Sequence, residues 1–249
     1  MNVTVVIPAL NEEATVAGVV EACLASVAGE VIVIDSDSAD GTARAAAGAG
    51  ARVLNWRDAA PGVPPRPGKG EALWRGVRAA AGDVVAFVDA DVTSPEPGWI
   101  DALVAPLADP AVHLVKASYE RGIDGKPTGG GRVTELTARP LIAALFPELA
   151  HIRQPLAGEY AVRRSTALHL PFVEGYGVEA GLLVDVSRRH GPGAVAQVDL
   201  GARTHRNRPL AELAPMADVV ARTLLSRAGC LPAGARDVGQ RPPWLGDTI

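Results

Sequence analysis

The sequence predicts an α/β protein built on a doubly wound, mostly parallel sheet with helices on both sides. Two observations lead to this prediction. Short apolar runs alternate with helix-like segments over the first 91 residues, and the connections between them are short. A chain of 249 residues can bury a full core as one large domain, and its sequence shows no internal repeat.

The first half of the chain predicts four strands and three helices in alternation. The strands are expected at residues 3–7, 31–34, 51–54 and 84–88, where apolar residues dominate. A helix opening at Asn11 or Glu12 carries a one-sided apolar stripe from Val16 to Val27. A short Ala-rich helix is expected at 42–48, and a third helix begins near Lys69, after a loop rich in proline and glycine.

The second half is less regular. It predicts helices at 99–107, 134–149, 178–189 and 210–227, and strands at 112–117, 159–162 and 194–200. Pro140 is expected to break or kink the helix at 134–149. Five glycines between residues 122 and 131 indicate a mobile loop, and the tail from residue 231 has no periodicity and is expected to be loose.

Composition argues against several classes of partner. The formal net charge is -4, so no basic excess points to nucleic acid. The two cysteines have no metal-type spacing, which favours a reduced, cytoplasmic protein. No signal-peptide pattern precedes the first strand, and no apolar run approaches the roughly 18 residues that span a bilayer, so no membrane partner is expected.

The most informative stretch is the apolar run at 84–88, which ends in Asp89 and Asp91 with Ala90 between them. In open α/β sheets, ligands bind beyond the carboxyl ends of the strands, where these two carboxylates are expected. Two carboxylates there can hold a divalent cation, and the cation can hold a diphosphate. The alternative is that both residues merely cap the next helix or turn.

Three more segments of the first half are expected at the same edge of the sheet. Residues 8–13, Pro-Ala-Leu-Asn-Glu-Glu, begin a helix whose N–H groups suit an oxygen-rich ligand, although this is also an ordinary helix start. Asp35 and Ser36, in a turn, can reach a ribose or a base. Lys69 stands between two glycines and can contact phosphate or base, but the spacing of a Walker loop is missing.

The second half adds three polar segments. Three glycines at 129–131 run into Arg132 and Thr134, a plausible anion cradle at a helix start. Residues 175–179, Gly-Tyr-Gly-Val-Glu, precede a predicted helix. His205 stands among three arginines just past a strand, and by itself such a histidine is more often structural than a ligand.

Together these motifs resemble one family. The chain contains, in order, Pro-Ala-Leu-Asn-Glu-Glu, Asp-Ser-x-Ser-x-Asp, Arg-Pro-Gly-Lys-Gly-Glu-Ala-Leu-Trp, Asp-x-Asp, Gly-Gly-Gly-Arg-Val-Thr-Glu-Leu, Gly-Tyr-Gly-Val-Glu and His-Arg-Asn-Arg-Pro-Leu. The series is similar to the glucosyl-3-phosphoglycerate synthases of actinobacteria, over residues 3–229. The resemblance implies a GT-A fold and retaining transfer of glucose from UDP-glucose to the 2-hydroxyl of 3-phosphoglycerate, with Mg²⁺ or Mn²⁺ on the diphosphate.

The resemblance also implies roles for individual residues. The metal would be bound by Asp91 and His205, and the catalytic residues would be these two with Glu179 and Arg203. The donor would be held by Pro8, Leu10, Glu12, Ser36, Lys69, Asp89, Ala90, the Leu156 backbone and Glu179. The acceptor would be held by Gly131, Arg132, Val133, Thr134 and Asn207.

The same resemblance predicts one catalytic domain at residues 1–230, with a nucleotide-sugar-binding half at 1–118 and an acceptor-binding half at 119–230. A homodimer in the cytoplasm is expected. Two departures from the family pattern affect this interpretation: Asp37 stands where the family usually has glycine, and the loop at 119–128 is shorter than usual. The loop borders the predicted acceptor region.

Other functions remain open at this point. One is transfer to another small acidic or hydroxylated acceptor in secondary metabolism, and a lipid-phosphate acceptor is disfavoured because no basic amphipathic helix is predicted. Another is a sugar-phosphate nucleotidyltransferase, which usually carries a Gly-rich, basic loop after its first strand, whereas this chain has Leu-Asn-Glu-Glu at 10–13. A non-catalytic nucleotide-sugar binder would have no use for metal ligands and an anion cradle.

Overall fold

The computed structural model describes residues 1–123, 126–127, 131–204 and 210–246, with the backbone alone for 120–123, 126–127 and 202–204. Within these ranges an eight-stranded sheet carries helices on both faces. The predicted fold class, α/β with a mostly parallel, doubly wound sheet, is therefore confirmed.

Eight of the strands form the main sheet. They are β1 Val3–Ala9, β2 Glu30–Asp35, β3 Arg52–Asn55, β4 Val84–Phe87, β5 Leu114–Ile123, β6 Lys126–Pro127, β7 Tyr160–Arg163 and β9 Val195–Thr204. Their order is β3-β2-β1-β4-β7-β5-β6, with β9 paired to β5. Strands β1 to β4 run parallel to one another, and β7 runs antiparallel between β4 and β5. A separate ribbon pairs β8 Phe172–Val173 with β10 Gln240–Arg241.

The helices fill both faces of the sheet. They are α1 Val16–Leu24, α2 Thr42–Gly48, α3 Trp56–Ala59, α4 Lys69–Ala79, α5 Gly98–Val104, α6 Arg139–Leu145, α7 Arg164–Ala167, α8 Val178–His190 and α9 Leu210–Arg227. Short 3-10 turns occupy Ala105–Ala108, Pro147–Leu149, Gly175–Gly177 and Pro192–Ala194, and a π-helical turn occupies Thr134–Ala138.

The sheet separates two hydrophobic cores. Val6 and Ile32 point to the face covered by α4, α6, α8 and α9, whereas Val5, Ile7 and Val33 point to the face covered by α1, α2 and α5. Side chains of a strand alternate between faces, so a sheet covered on both sides needs apolar residues at every position. This requirement explains the continuous apolar runs in the sequence.

Several predicted elements differ in extent from the structure. Helix α1 begins at Val16 rather than at Asn11 or Glu12, because Asn11 has a left-handed backbone (φ 58°). Helix α3 was not predicted. The stretch 122–131 is not wholly a loop, since β5 continues to Ile123 and pairs with β6. Pro140 lies in the first turn of α6, just after the π-helical turn, where its missing N–H costs little.

The C-terminal tail was expected to be loose, and this is wrong for its last described part. Strand β10 pairs with β8, and the Trp244 ring stacks on Trp74 at 3.6 Å between centroids. Apolar periodicity cannot reveal such a segment, because an aromatic stack and single ion pairs hold it in place.

In the described part of the chain, none of the helices has the length and hydropathy needed to cross a membrane.

Candidate active site

Lys69 is the centre of the polar cluster at the carboxyl edge of the sheet. It is the first residue of α4, directly after Gly68, whose φ of 110° is open to glycine but strained for other residues. The Lys69 Nζ atom lies 2.5 Å from Asp89 Oδ1 and 2.7 Å from Glu179 Oε1. Asp89 follows β4 and Glu179 opens α8, so three separate segments meet at one ammonium group.

The cluster is largely shielded from water. The Lys69 side chain is 15% exposed and that of Glu179 is 4% exposed. Burial alone would lower the pKa of Lys69, but the carboxylates of Asp89 and Glu179 outweigh it and hold that pKa well above its usual value. Lys69 is therefore a fixed positive charge at neutral pH.

A second lysine lies beneath this cluster. Lys116 in β5 is 1% exposed, its Nζ donates to the Ala157 carbonyl oxygen at 2.7 Å, and it stands 4.3 Å from the Tyr160 ring centroid. Burial lowers the pKa of Lys116 to about 8, against the raising effect of Glu179, and the charge of Lys69 lowers it further. Sequence reasoning missed this residue, although a lysine inside an apolar strand was a visible signal.

Close backbone contacts explain the glycines around the cluster. A Cβ on Gly158 would overlap the Asp89 carboxylate, so only glycine lets the segment before β7 approach that side chain. A Cβ on Gly68 would lie 2.8 Å from the Gly175 backbone, and one on Gly70 would overlap the Val173 carbonyl oxygen. The start of α4 therefore packs directly against the segment that leads into α8.

The residues predicted on the nucleotide side lie at the ends of β1 and β2. Pro8 is in β1, and Leu10 follows it with 55% of its surface exposed. The Ser36 N–H donates to the Ala9 carbonyl at 2.9 Å, and the Glu12 N–H donates to Thr42 Oγ1 at 2.8 Å. The first bond ties the two strand ends together and the second ties the segment after β1 to the start of α2, so Pro8, Leu10, Glu12 and Ser36 lie at one edge.

Asp37, the departure from the family pattern, has a structural explanation. Its φ is 63°, in the left-handed region that glycine adopts freely and Asp tolerates better than most residues. Its Oδ2 lies 2.6 Å from Arg57 Nη2, and Asn55 donates to its Oδ1 at 2.9 Å. The hydrogen bonds from Arg57 and Asn55 lower the pKa of Asp37 to about 2, and the ion pair balances the added charge.

Asp91, predicted as a metal ligand, lies two residues past Asp89. It is exposed beyond β4, and the buried Ala90 separates it from Asp89. Among the described residues, no group of three or more His, Cys, Asp or Glu side chains forms a ready-made metal cage. A magnesium-type ion needs only one or two protein carboxylates when phosphates and water supply its other ligands, so Asp91 fits that role. His205, the other predicted ligand, lies outside the described residues.

The predicted acceptor residues lie at the start of the π-helical turn. The Gly131 carbonyl accepts from the Glu135 N–H at 2.9 Å, Arg132 is exposed, Val133 is half-buried and Thr134 is 3% exposed. Leu156, predicted to bind the donor through its backbone, is half-buried in the loop before β7, two residues before Gly158.

Two predicted residues of the second half are described in part or not at all. Arg203 is described by its backbone alone, paired with Arg121 of β5, and Asn207 lies outside the described residues.

A sheet of this order, with acidic and basic side chains collected beyond β1, β2 and β4, is the architecture of a GT-A glycosyltransferase. Comparison with known proteins agrees. The model of the family "Glycosyl transferase family 2" matches residues 4–164. Glucosyl-3-phosphoglycerate synthase of Mycolicibacterium paratuberculosis is 52% identical over 244 residues, which cover 94% of this chain and 74% of that protein. The chain thus belongs to glycosyl transferase family 2 and, within it, to the glucosyl-3-phosphoglycerate synthases.

Solved structures extend the likeness to the whole fold. The crystal structure of glucosyl-3-phosphoglycerate synthase from Mycobacterium tuberculosis with Mn²⁺, UDP-glucose and phosphoglyceric acid matches at a TM-score of 0.89 and 48% identity. The match covers 98% of this chain and 90% of that one. A structure of the same enzyme with Mn²⁺, UDP-glucose and glycerol 3-phosphate also matches at a TM-score of 0.89, with 47% identity and the same coverage of both chains.

Proposed function

We propose that this chain is a metal-dependent retaining glucosyltransferase that moves glucose from UDP-glucose to the 2-hydroxyl of 3-phospho-D-glycerate, giving glucosyl-3-phosphoglycerate. The observation that carries the proposal is the Lys69–Asp89–Glu179 cluster beside the exposed Asp91, in a chain of this family. Membership of glycosyl transferase family 2 also sets aside the nucleotidyltransferase alternative.

The first half of the chain holds the donor in this proposal. Pro8, Leu10, Glu12 and Ser36 line the uridine, and Asp89 faces the ribose. Lys69 lies on the same uridine side and also orients Glu179, whose carboxylate takes the hydroxyls of glucose. Side chains linked in this way hold the nucleotide and the sugar in a fixed relative position, which is what transfer requires.

The metal completes the diphosphate site. Asp91 and His205 would hold Mg²⁺ or Mn²⁺. The bound ion would neutralise the negative charge that develops on the leaving diphosphate. Asp91 is exposed, and the buried Ala90 separates it from the half-buried Asp89.

Transfer takes place on one face of the sugar. No carboxylate of the matched motifs is assigned as a nucleophile in this proposal, since Asp89 takes the ribose and Glu179 the sugar hydroxyls. The acceptor 2-hydroxyl oxygen bonds to the anomeric carbon as the bond from that carbon to the leaving phosphate oxygen breaks. The hydroxyl proton passes to that phosphate oxygen, and the configuration at the anomeric carbon is retained.

Donor binding gives the first test. UDP should raise the melting temperature of the protein by mass action on the folded state, by a stabilisation of about 2.7 kcal/mol at 100 times the dissociation constant. The increase should be larger with Mn²⁺ or Mg²⁺ present, because the ion bridges diphosphate and Asp91. Thermal shift with UDP, GDP and ADP at equal concentration measures this, and better protection by GDP or ADP would refute the uridine assignment.

Acceptor binding gives the second test. Arg132 can fork onto a phosphate or carboxylate beside the backbone of Gly131, and Asn207 adds a neutral donor. Arg132→Ala should therefore raise the KM for the acceptor far more than the KM for UDP-glucose, and Arg132→Lys should rescue poorly because an ammonium lacks the planar fork. Equal turnover of 3-phosphoglycerate and unphosphorylated glycerate by the wild type would favour another small acceptor instead.

A homodimer and a cytoplasmic location are further parts of this proposal. Of the two, the oligomeric state can be measured on the purified protein. Sedimentation velocity of the purified chain measures it directly, and a monomer at all concentrations would refute the dimer.

A further inference from the structure

The last described residues of the chain, 237–246, form a segment that packs against β8 and α4. We call it the C-terminal strap. Its strand β10 pairs with β8, and the Gly239 carbonyl accepts from the Glu174 N–H at 2.9 Å. Arg66 Nη1 donates both to the Gln240 carbonyl at 3.1 Å and to Glu174 Oε1 at 2.9 Å. The strap therefore contacts the loop before α4 and the segment before α8 at once.

One residue of the strap reaches into the protein interior. Arg241 is 7% exposed, and it forks onto Glu71, with Nε 2.6 Å from Oε2 and Nη2 2.8 Å from Oε1. Glu71 also accepts from Arg75 Nε at 2.6 Å. Arg75 is fully buried and donates to the carbonyls of Trp56 and Val63, so the three charged groups support the loop that leads into α4.

An aromatic stack is the second contact that anchors the strap. The Trp244 ring lies 3.6 Å from Trp74 at an interplanar angle of 14°. The Trp74 indole N–H donates to the Pro242 carbonyl and the Trp244 indole N–H donates to the Trp74 carbonyl, both at 2.8 Å. The strap is thus fixed to α4 by one ionic contact and one stacked contact, about a helical turn apart.

These contacts lie next to the residues of the site. Glu71 and Lys69 share the first turn of α4, and β8 leads through Gly175–Gly177 to Glu179. At this junction Gly68 packs on the Gly175 backbone without room for a side chain. The ion pair between Lys69 and Glu179 crosses the same junction, so its geometry depends on how the two segments are held together.

We propose that Arg241 is a positioning residue for the donor site: by anchoring the C-terminal strap to Glu71, it fixes Lys69 against Asp89 and Glu179. A buried Arg–Glu–Arg cluster contributes little net stability, because desolvation of the charges offsets their attraction. Its fixed, forked geometry instead determines where the first turn of α4 lies. The kinetic part of this inference rests on the proposed function.

The experiment compares Arg241→Ala and Arg241→Lys with the wild type, and uses Arg52→Ala as the matched control. Arg52 forms a surface ion pair with Glu30, 3.0 Å apart, at the opposite edge of the sheet. In Arg241→Ala, kcat/KM for UDP-glucose should fall by roughly 10- to 100-fold, because small displacements of a positioned group are costly. The loss should lie mainly in the KM for the donor, the KM for the acceptor should not change, and Arg241→Lys should be intermediate.

A second readout needs no substrate. The chain has three lysines, so acetylation by an N-hydroxysuccinimide ester can be assigned to Lys69 by mass spectrometry. Lys69 should react several-fold faster in Arg241→Ala than in the wild type, since a displaced ammonium loses its carboxylate partners and more readily gives the reactive amine. Arg52→Ala should label like the wild type.

The outcomes separate the two proposals. If the wild type makes no product from UDP-glucose, the proposed function fails, and the labelling of Lys69 still decides the role of Arg241. If Arg241→Ala does not fold, Arg241→Lys supplies both readouts. Unchanged KM values and unchanged Lys69 labelling would overturn the inference, whatever happens to the melting temperature.

Discussion

Two lysines buried in one cluster have opposite pKa shifts, and the difference lies in what each ammonium contacts. Lys69 touches two carboxylates, which outweigh burial and hold its pKa well above the usual value. Lys116 donates to a carbonyl oxygen, so burial dominates and lowers its pKa to about 8. Direct contact with carboxylates therefore decides which of the two lysines has its pKa raised.

The depressed pKa of Lys116 predicts a pH dependence of stability. Above about pH 8 the folded state has released a proton that the unfolded state, with the usual value of 10.5, still binds. The free energy of unfolding should therefore rise with pH through this group, by up to about 1.4 kcal/mol per pH unit. Lys116→Met lacks this contribution, so its stability relative to the wild type should be greatest at pH 7 and should decline towards pH 9.

Urea unfolding at pH 7, 8 and 9 measures the difference between the two proteins. The Cys23 thiol, whose pKa burial raises to about 12, is present in both proteins, so its ionisation in the unfolded chain cancels in this difference. A difference that does not change with pH would show that Lys116 keeps its proton throughout.

Among individual residues, the sequence predicted those that belong to recognisable motifs. Asp89, Lys69 and Glu179 were all predicted from short patterns, and the structure joins them in one cluster. Lys116 was missed although a lysine inside an apolar strand is a visible signal, and Arg241 was not found because it acts through Glu71, far away in the chain, and no local pattern marks it.

Among the elements, α4 connects the site to the core. It carries Lys69 at its first position and packs on β1, where Gly76 faces Val6. A Cβ on Gly76 would overlap the Val6 side chain, so the distance between helix and strand depends on this glycine. The apolar strand and the helix were both predictable, but this close approach was not.

Two glycine substitutions should therefore have opposite effects. Gly76→Ala should destabilise the fold by about 2 kcal/mol, because overpacking against Val6 exceeds the gain in helix propensity. Gly18→Ala in α1 is the matched control: no atom lies within 4 Å of the added Cβ, and the change should stabilise by about 0.5–1 kcal/mol. Urea denaturation measures both, and equal effects of the two changes would contradict this packing.

The elements that escaped prediction are short and depend on tertiary contacts. Helix α3 has four residues, begins with Asn55 accepting from the Arg57 N–H, and is held by Arg75. Strand β10 has two residues in a proline-containing tail. Period-based reasoning needs longer runs, so it recovers the long helices and buried strands and misses these.

For the whole molecule, the sheet both separates the two cores and aligns the site. Four parallel strands end at one edge, and this edge receives the first turn of α4 and the loop before β7. The fold class and the edge that holds the site followed from alternation of strands and helices, whereas the donor and the acceptor followed from the combined motifs. The hydrophobic periodicity alone predicts a sheet and the edge at which a ligand binds. It does not indicate which ligand binds there.

Product formation tests the function of the whole molecule most directly. The purified protein with Mn²⁺ or Mg²⁺ is incubated with UDP-, GDP- and ADP-glucose, each against 3-phosphoglycerate, glycerate and glycerol 3-phosphate, and products are identified by mass and anomeric configuration. We expect glucosyl-3-phosphoglycerate with the donor's α configuration from UDP-glucose and 3-phosphoglycerate, abolished by EDTA and by Asp91→Ala. Full activity in EDTA, inverted product, or preferred transfer to an acceptor without phosphate would contradict the proposed function.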